Sequence, residues 1–126
     1  MICIDSDVLI EIIDHKSIKG SEAFKQLLAS GEDYCTTSIS MHEVLFGIHK
    51  YNKSSTDLMQ LSVLDYTRND SILSSKLEVE AQQAGTPVGR TDSMIAAIAI
   101  NNDVTLFTFD LKHFEPLKKH GLKLFR

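Results

Sequence analysis

The sequence lacks any apolar run long enough to span a bilayer, which excludes a transmembrane helix. Met1-Ile2-Cys3-Ile4 runs straight into Asp5 with no charged segment ahead of it, so no signal peptide and a cytoplasmic location are expected. Cysteine is scarce. Cys3 and Cys35 both sit in apolar, strand-like runs and are expected as buried, reduced thiols, because two cysteines do not make a disulfide scaffold. No Cys/His spacing suits a zinc site, the five histidines are scattered, and no Ser-His-Asp or Cys-His set stands out. An excess of positive charge is also missing. Thirteen basic residues against seventeen acidic give a net charge of −4, which excludes a protein that coats a polyanion by bulk charge but not one that touches it locally. Repeats, low-complexity stretches and linkers are absent, and Pro87 and Pro116 both read as loop punctuation, so the 126 residues are expected to form one domain, 1–126.

What is present alternates short apolar runs with longer helical patterns. Residues 1–4 read as a buried strand, and Val8 to Ile13 as a nearly all-apolar helix. Glu22 to Ser30 has helical spacing with Gly31 placed to end it. Tyr34 to Ile39 reads as a second strand, with a helix opening at Ser40. Leu61 to Tyr66 is a candidate third strand, and Ser71 to Ala84 an amphipathic helix. Ser93 to Asn101, apolar on almost every side, reads as a buried helix. Val104 to Thr108 is a strong strand and Leu122 to Phe125 a last edge strand. Strands separated by helices imply crossover connections, hence an α/β fold with a mostly parallel sheet, whose binding site lies beyond the carboxyl ends of the strands.

Four acids stand where that rule puts a site. Asp5 follows the first strand, Glu43 lies one turn into the helix after the second, Asp92 opens the buried helix, and Asp110 follows the Val104 to Thr108 strand. Each has a purely structural explanation too. Ser40-x-x-Glu43 matches a capping box, Asp92 suits a helix N-terminus, Asp110 suits a turn or an N-cap, and Asp5 or Asp7 suits the cap of the first helix. Asp5 and Asp92 are the hardest to explain that way, because both neighbour apolar segments where a carboxylate is costly unless a cation or several donors meet it. A hard divalent ion, Mg²⁺ or Mn²⁺, is the economical partner for an all-oxygen set. Such a site suits phosphodiester hydrolysis without a nucleophilic side chain. The basic tail, Lys112, Lys118, Lys119, Lys123 and Arg126 against only Glu115, is read as solvated surface.

These residues also resemble a known family. Ile4-Asp5-Ser6-Asp7-Val8-Leu9-Ile10, Ser40-x-x-Glu43 with Gly47, Asp92-x-x-Ile95-Ala96-Ala97, and Leu106-Phe107-Thr108-Phe109-Asp110 with His113-Phe114 resemble, in order and spacing, the four motifs of the PIN-domain family. The match runs from Ile2 to about Leu124, and the length looks most like its VapC-type branch, the ribonuclease toxins of toxin–antitoxin pairs. The resemblance implies a five-stranded parallel sheet flanked by helices in three layers. It implies Mg²⁺- or Mn²⁺-dependent cleavage of RNA, a homodimer, and an antitoxin partner. Asp5, Glu43, Asp92 and Asp110 become the catalytic and metal-binding set, and Ser6 and Thr108 hydroxyls that orient carboxylates. Position 7 is Asp where Asn or Ser is frequent; it is either an extra acid near the metal or a helix cap, and the cap is the favoured reading. His113 stands where relatives carry a further acid. Arg90 is a candidate phosphate contact, or a group that neutralises Asp92 when no metal is bound.

Two other readings fit parts of the pattern. A phosphatase of the haloacid-dehalogenase type would use Asp5 as its nucleophile, but no lysine partner is evident. A receiver-like signalling domain needs a phosphorylated aspartate ending a central strand near mid-chain. Asp57 has no strand before it, and Asp65 follows only a weak one.

Overall fold

The computed structural model describes Met1–Arg126. Five strands, β1 (Ile2–Ile4), β2 (Tyr34–Thr37), β3 (Ser62–Leu64), β4 (Thr105–Phe107) and β5 (Lys123–Leu124), form one sheet in the order β3-β2-β1-β4-β5. Every pairing is parallel. The helices are α1 (Ser6–Leu9), α2 (Ile18–Ser30), α3 (Ser38–Lys50), α4 (Arg68–Gln83), α5 (Arg90–Asn101) and α6 (Leu111–Phe114). No helix is long and apolar enough to cross a membrane.

Side-chain alternation along the short strands divides the core in two, as a sheet covered on both faces requires. Ile2, Ile4 and Phe107 face α1, α2 and α3 through Val8, Leu9, Leu27, Val44 and Ile48. Cys3, Cys35 and Leu106 face the other way, onto Leu77 and Ala81 of α4 and Ile95, Ala96 and Ala99 of α5. The expected three-layer α/β arrangement is therefore present. Cys3 and Cys35 are opposite each other in the β1–β2 register, both buried and free.

Local chemistry explains where the elements start and stop. Ser17 caps α2 by accepting from the Gly20 amide, so the helix begins four residues before the spacing predicts, and Gly31 ends it at φ 68°. Thr37 accepts from the Ser40 amide, so α3 starts at Ser38 and cuts the second strand short of Ile39. Thr67 and Asp70 form a reciprocal capping box at the head of α4, and Asp70, buried, also accepts from Asn101 Nδ2 at 2.8 Å. The apolar segment expected as one helix from Val8 to Ile13 is α1 followed by a wider π-helical stretch, Ile10–His15, closed by Lys16 at φ 50°.

Two glycines test this packing with opposite signs. A Cβ on Gly20 would overlap the Glu11 carbonyl, backbone that cannot yield, whereas a Cβ on Gly47, in the interior of α3, meets nothing within 4 Å. Gly20→Ala is expected to cost about 1–3 kcal/mol. Gly47→Ala is expected to gain about 0.5–1 kcal/mol from helix propensity and a less flexible unfolded chain. Urea unfolding of the two variants against the parent checks both signs.

Candidate active site

Strand order fixes where a site can form. The chain leaves β1 toward β2 and β3 on one side, then crosses to β4 and β5 on the other, so the switch point lies at the carboxyl ends of β1 and β4. Asp5 follows β1 there, and its amide donates to the Phe107 carbonyl of β4 at 2.8 Å. Glu43 comes from the first half of α3, which follows β2. α5 runs back antiparallel to the strands, so its first turn brings Asp92 to the same edge. Thr108 and Asp110 follow β4.

Asp5 is the centre of the arrangement and only 5% exposed. Its Oδ1 accepts from the Ser6 amide at 2.8 Å, Ser6 Oγ at 3.5 Å and Ser40 Oγ at 3.4 Å. Its Oδ2 accepts from Thr108 Oγ1 at 2.8 Å. Burial pushes the Asp5 carboxyl up from its ordinary range, and these donors oppose the shift. Ser6 Oγ also lies 3.1 Å from Glu43 Oε1, so its single proton is shared between two acids. Glu43 is likewise raised, by burial and then by Asp5. Asp92 is pushed up to about 6, first by burial and then by Asp5, Asp110 and Glu43 in turn, with no hydrogen bond to offset it. The charges of the other three sequence-predicted acids are thus all felt at Asp92. Asp110 occupies the cap position of α6 but makes no cap bond; its Oδ2 lies 2.6 Å from His113 Nδ1.

Several expectations need correction. Ser40 and Glu43 do not form a capping box, because Thr37 already caps α3; both side chains turn to the Asp5–Ser6 corner instead. Asp5, not Asp7, is the cap of α1. Asp7 reaches across to the end of β4, accepting from the Phe109 amide at 3.1 Å and facing Thr108 Oγ1 at 3.4 Å. Its Oδ1 is buried without any partner, and burial together with Asp5 lifts the carboxyl to about 6. Arg90 does not neutralise Asp92. Its Nε and Nη2 each donate at 3.3 Å to the two carboxylate oxygens of Glu78 in α4. Three of the five tail cations are engaged elsewhere, Lys118 and Arg126 on Glu115 and Lys123 on Asp103. The donor role of Ser40 escaped sequence reading, although its place one turn before Glu43 on a single helix face was the available signal.

The donor set is all oxygen, clustered, and destabilised by its own charge, which fits a hard divalent cation. No three of the acidic, histidine or cysteine side chains already stand at metal-holding geometry. Asp5 accepts instead from hydroxyls and an amide of the chain itself.

The raised carboxyls have a thermodynamic consequence. Asp92 ordinarily titrates near 3.8 and here near 6, so between those values the folded protein holds a proton that the unfolded chain has lost. Stability of the metal-free protein therefore falls as pH rises through that window, and the penalty is complete above about 6. Asp92→Asn is expected to make this profile shallower, leaving the similar contribution of Asp7, and to stabilise the metal-free fold at neutral pH by about 1–2 kcal/mol, a figure reduced for screening at a half-buried group. Denaturant unfolding in chelator from pH 4 to 7 checks this, and a loss of stability at neutral pH would mark Asp92 as structural.

Comparison with known proteins identifies the family and the fold. The PIN domain family matches residues 2–119. Ribonuclease VapC2 of Rickettsia felis is 30% identical over 97 residues, 71% of this chain and 72% of its own. The tRNA(fMet)-specific endonuclease VapC of Salmonella typhimurium is 32% identical over 88 residues, 64% of this chain and 67% of its own. Among solved structures, DNA-bound VapBC from Salmonella typhimurium superposes with a TM-score of 0.78 at 27% identity, covering 98% of this chain and 96% of the other. VapBC2 from Rickettsia felis, bound to a promoter DNA fragment, shares the fold with a TM-score of 0.80 at 24% identity over 99% and 98% of the two chains. With its motifs in order, its acids at one sheet edge and its match over nearly the whole length, this chain belongs to the PIN domain family.

Proposed function

We propose that this protein is a divalent-metal-dependent endoribonuclease and the toxin half of a toxin–antitoxin pair. The observation that carries the reading is the convergence of Asp5, Glu43, Asp92 and Asp110 from four elements onto the switch point of a parallel sheet, where burial, and then the charges of the other three, raise Asp92 to about 6. The names of the relatives, ribonucleases and endonucleases of the VapC type, support the same chemistry. Solved relatives that are toxin–antitoxin complexes support an antitoxin partner. The homodimer rests on the family resemblance.

Asp5, Glu43, Asp92 and Asp110 are the residues that would hold Mg²⁺ or Mn²⁺, which when bound supplies charge neutralisation at the phosphodiester and acidifies water. The protein's own part is positioning. Thr108 fixes Asp5 through its hydroxyl proton and accepts from the Asp110 amide at 3.0 Å, so one side chain orients the exits of both β1 and β4. Ser6 sets the distance between Asp5 and Glu43. Ser40 closes the third side of the Asp5 carboxylate. Burial removes water that would screen the acids, which strengthens their joint attraction for a cation.

The rival readings lose their structural support. The donors to the Asp5 carboxylate are Ser6, Ser40 and Thr108, with no lysine among them to serve a phosphoaspartyl mechanism. Asp65 follows β3, an edge strand separated from β1 by β2, so the receiver arrangement is not formed.

Mixed RNA incubated with Mg²⁺, Mn²⁺ or chelator tests the proposal. Cleavage is expected only with metal, falling more than about 100-fold in Asp5→Asn and about 10- to 100-fold in Thr108→Val, which keeps the acids but loses their orienting hydroxyl. Undiminished cleavage in Asp5→Asn would remove the assignment. Mn²⁺ at about 100 times its Kd is expected to stabilise the parent by roughly 2.7 kcal/mol in thermal unfolding and to leave Asp92→Asn nearly unmoved.

A further inference from the structure

α3 has one face that packs against nothing in the chain. Val44 and Ile48 bury the inner side, while His42, Phe46, His49 and Lys50, at i, i+4, i+7 and i+8, share the outer one. Phe46 is 64% exposed and Tyr51, which ends the helix, 65%, so two aromatic rings lie in water a turn apart. Cations stand over them. Lys50 Nζ is 5.9 Å from the Phe46 ring centre and 5.7 Å from that of Tyr51, and Lys53 Nζ is 5.9 Å from the Tyr51 ring. The face borders an open cavity of about 530 Å³.

Charge separates this face from the rest of the molecule. In a chain of net charge −4, residues 44–56 contain no acid and carry His49, Lys50 and Lys53. Lys53 also donates to Asp14 at 2.7 Å, whereas the Lys50 ammonium lies over the two rings. The face is continuous with the carboxylate cluster. His42 adjoins Glu43 in the chain, and Glu43, Gly47 and Lys50 follow one another along the helix at i, i+4 and i+7 over roughly 10 Å. Gly47 makes that line bare. Neither a positive φ nor a close neighbour requires glycine there, so the helix gives up propensity and leaves naked backbone between an acid and a cation.

We propose that this face of α3 is a single-stranded RNA track leading out of the carboxylate cluster. Bases stack on Phe46 and Tyr51, and Lys50, with Lys53 beside it, holds the phosphates just beyond the acids that repel them. Stacking is tolerant of base identity, so the track contributes affinity and direction rather than sequence choice. The inference rests on the reading of the cluster as an RNA-cleaving site, but its test does not depend on cleavage.

The test is fluorescence anisotropy with a short labelled single-stranded RNA of mixed sequence, in chelator, for the parent, Phe46→Ala and Lys50→Gln, with sedimentation velocity and thermal unfolding on the same samples. Phe46→Ala is expected to weaken binding roughly 5- to 100-fold. Lys50→Gln is expected to lower the slope of log affinity against log salt by about 1. Both are expected to keep the parent's melting temperature and to raise KM in metal-dependent cleavage. RNA affinity unchanged in both variants overturns the track, and if the mass falls at the same time, the face is a contact between copies of the chain. RNA binding that needs Phe46 without cleavage under any ion keeps the track and removes the nuclease reading. Metal-dependent cleavage with unaltered KM in both variants does the reverse.

Discussion

A carboxylate placed almost out of reach of water at the end of the central strand organises this molecule. An unmet charge at Asp5 would cost several kcal/mol, and the fold meets it with donors from three separate segments: Ser6 at the start of α1, Ser40 inside α3, and Thr108 at the exit of β4. Each donor pins its own segment to the same point. The charge therefore fixes the relative placement of α1, α3 and the β4 exit more tightly than the surrounding aliphatic contacts do, since hydrogen bonds are directional and burial is not.

The same point is where the molecule tolerates destabilisation. Burial and then neighbouring charge raise Glu43 and Asp92, Asp7 leaves an oxygen buried without a partner, and Arg90 and Lys123 serve other carboxylates, Glu78 and Asp103. Elsewhere local rules agree with the fold, as in the capping box of α4 and the glycine that ends α2. Disagreement confined to one edge of the sheet is what a binding site looks like in an otherwise consistent chain.

Much of this was legible in the sequence. Alternation of apolar strands with helical patterns gave the parallel sheet, and the strand-end rule singled out all four acids. What was not legible was the angular detail. Ser40 and Glu43 satisfy the spacing of a capping box, and only the prior claim of Thr37 on the Ser40 amide frees them to face Asp5. Asp7 looked like a cap because its bond partner, the Phe109 amide, lies 102 positions away in the chain. Arg90 seemed a natural partner for Asp92, but residues two apart on a helix point to different sides, and Arg90 points to α4. Spacing reveals which residues share a face; it does not reveal which of two compatible partners a side chain takes.

The strand order carries one more consequence. β1 is the middle strand, yet one of its two neighbours, β4, is made from residues 105–107, and the acid that completes the cluster is Asp110. During synthesis the ribosome therefore releases Asp5 and Glu43 long before, and Asp92 shortly before, the strand that aligns them exists. A nascent or truncated chain ending before Asp110 has the first motif but no Thr108 to fix it, and so carries no assembled centre. Chemistry dangerous to the cell's own RNA is thereby tied to completion of nearly the whole polypeptide.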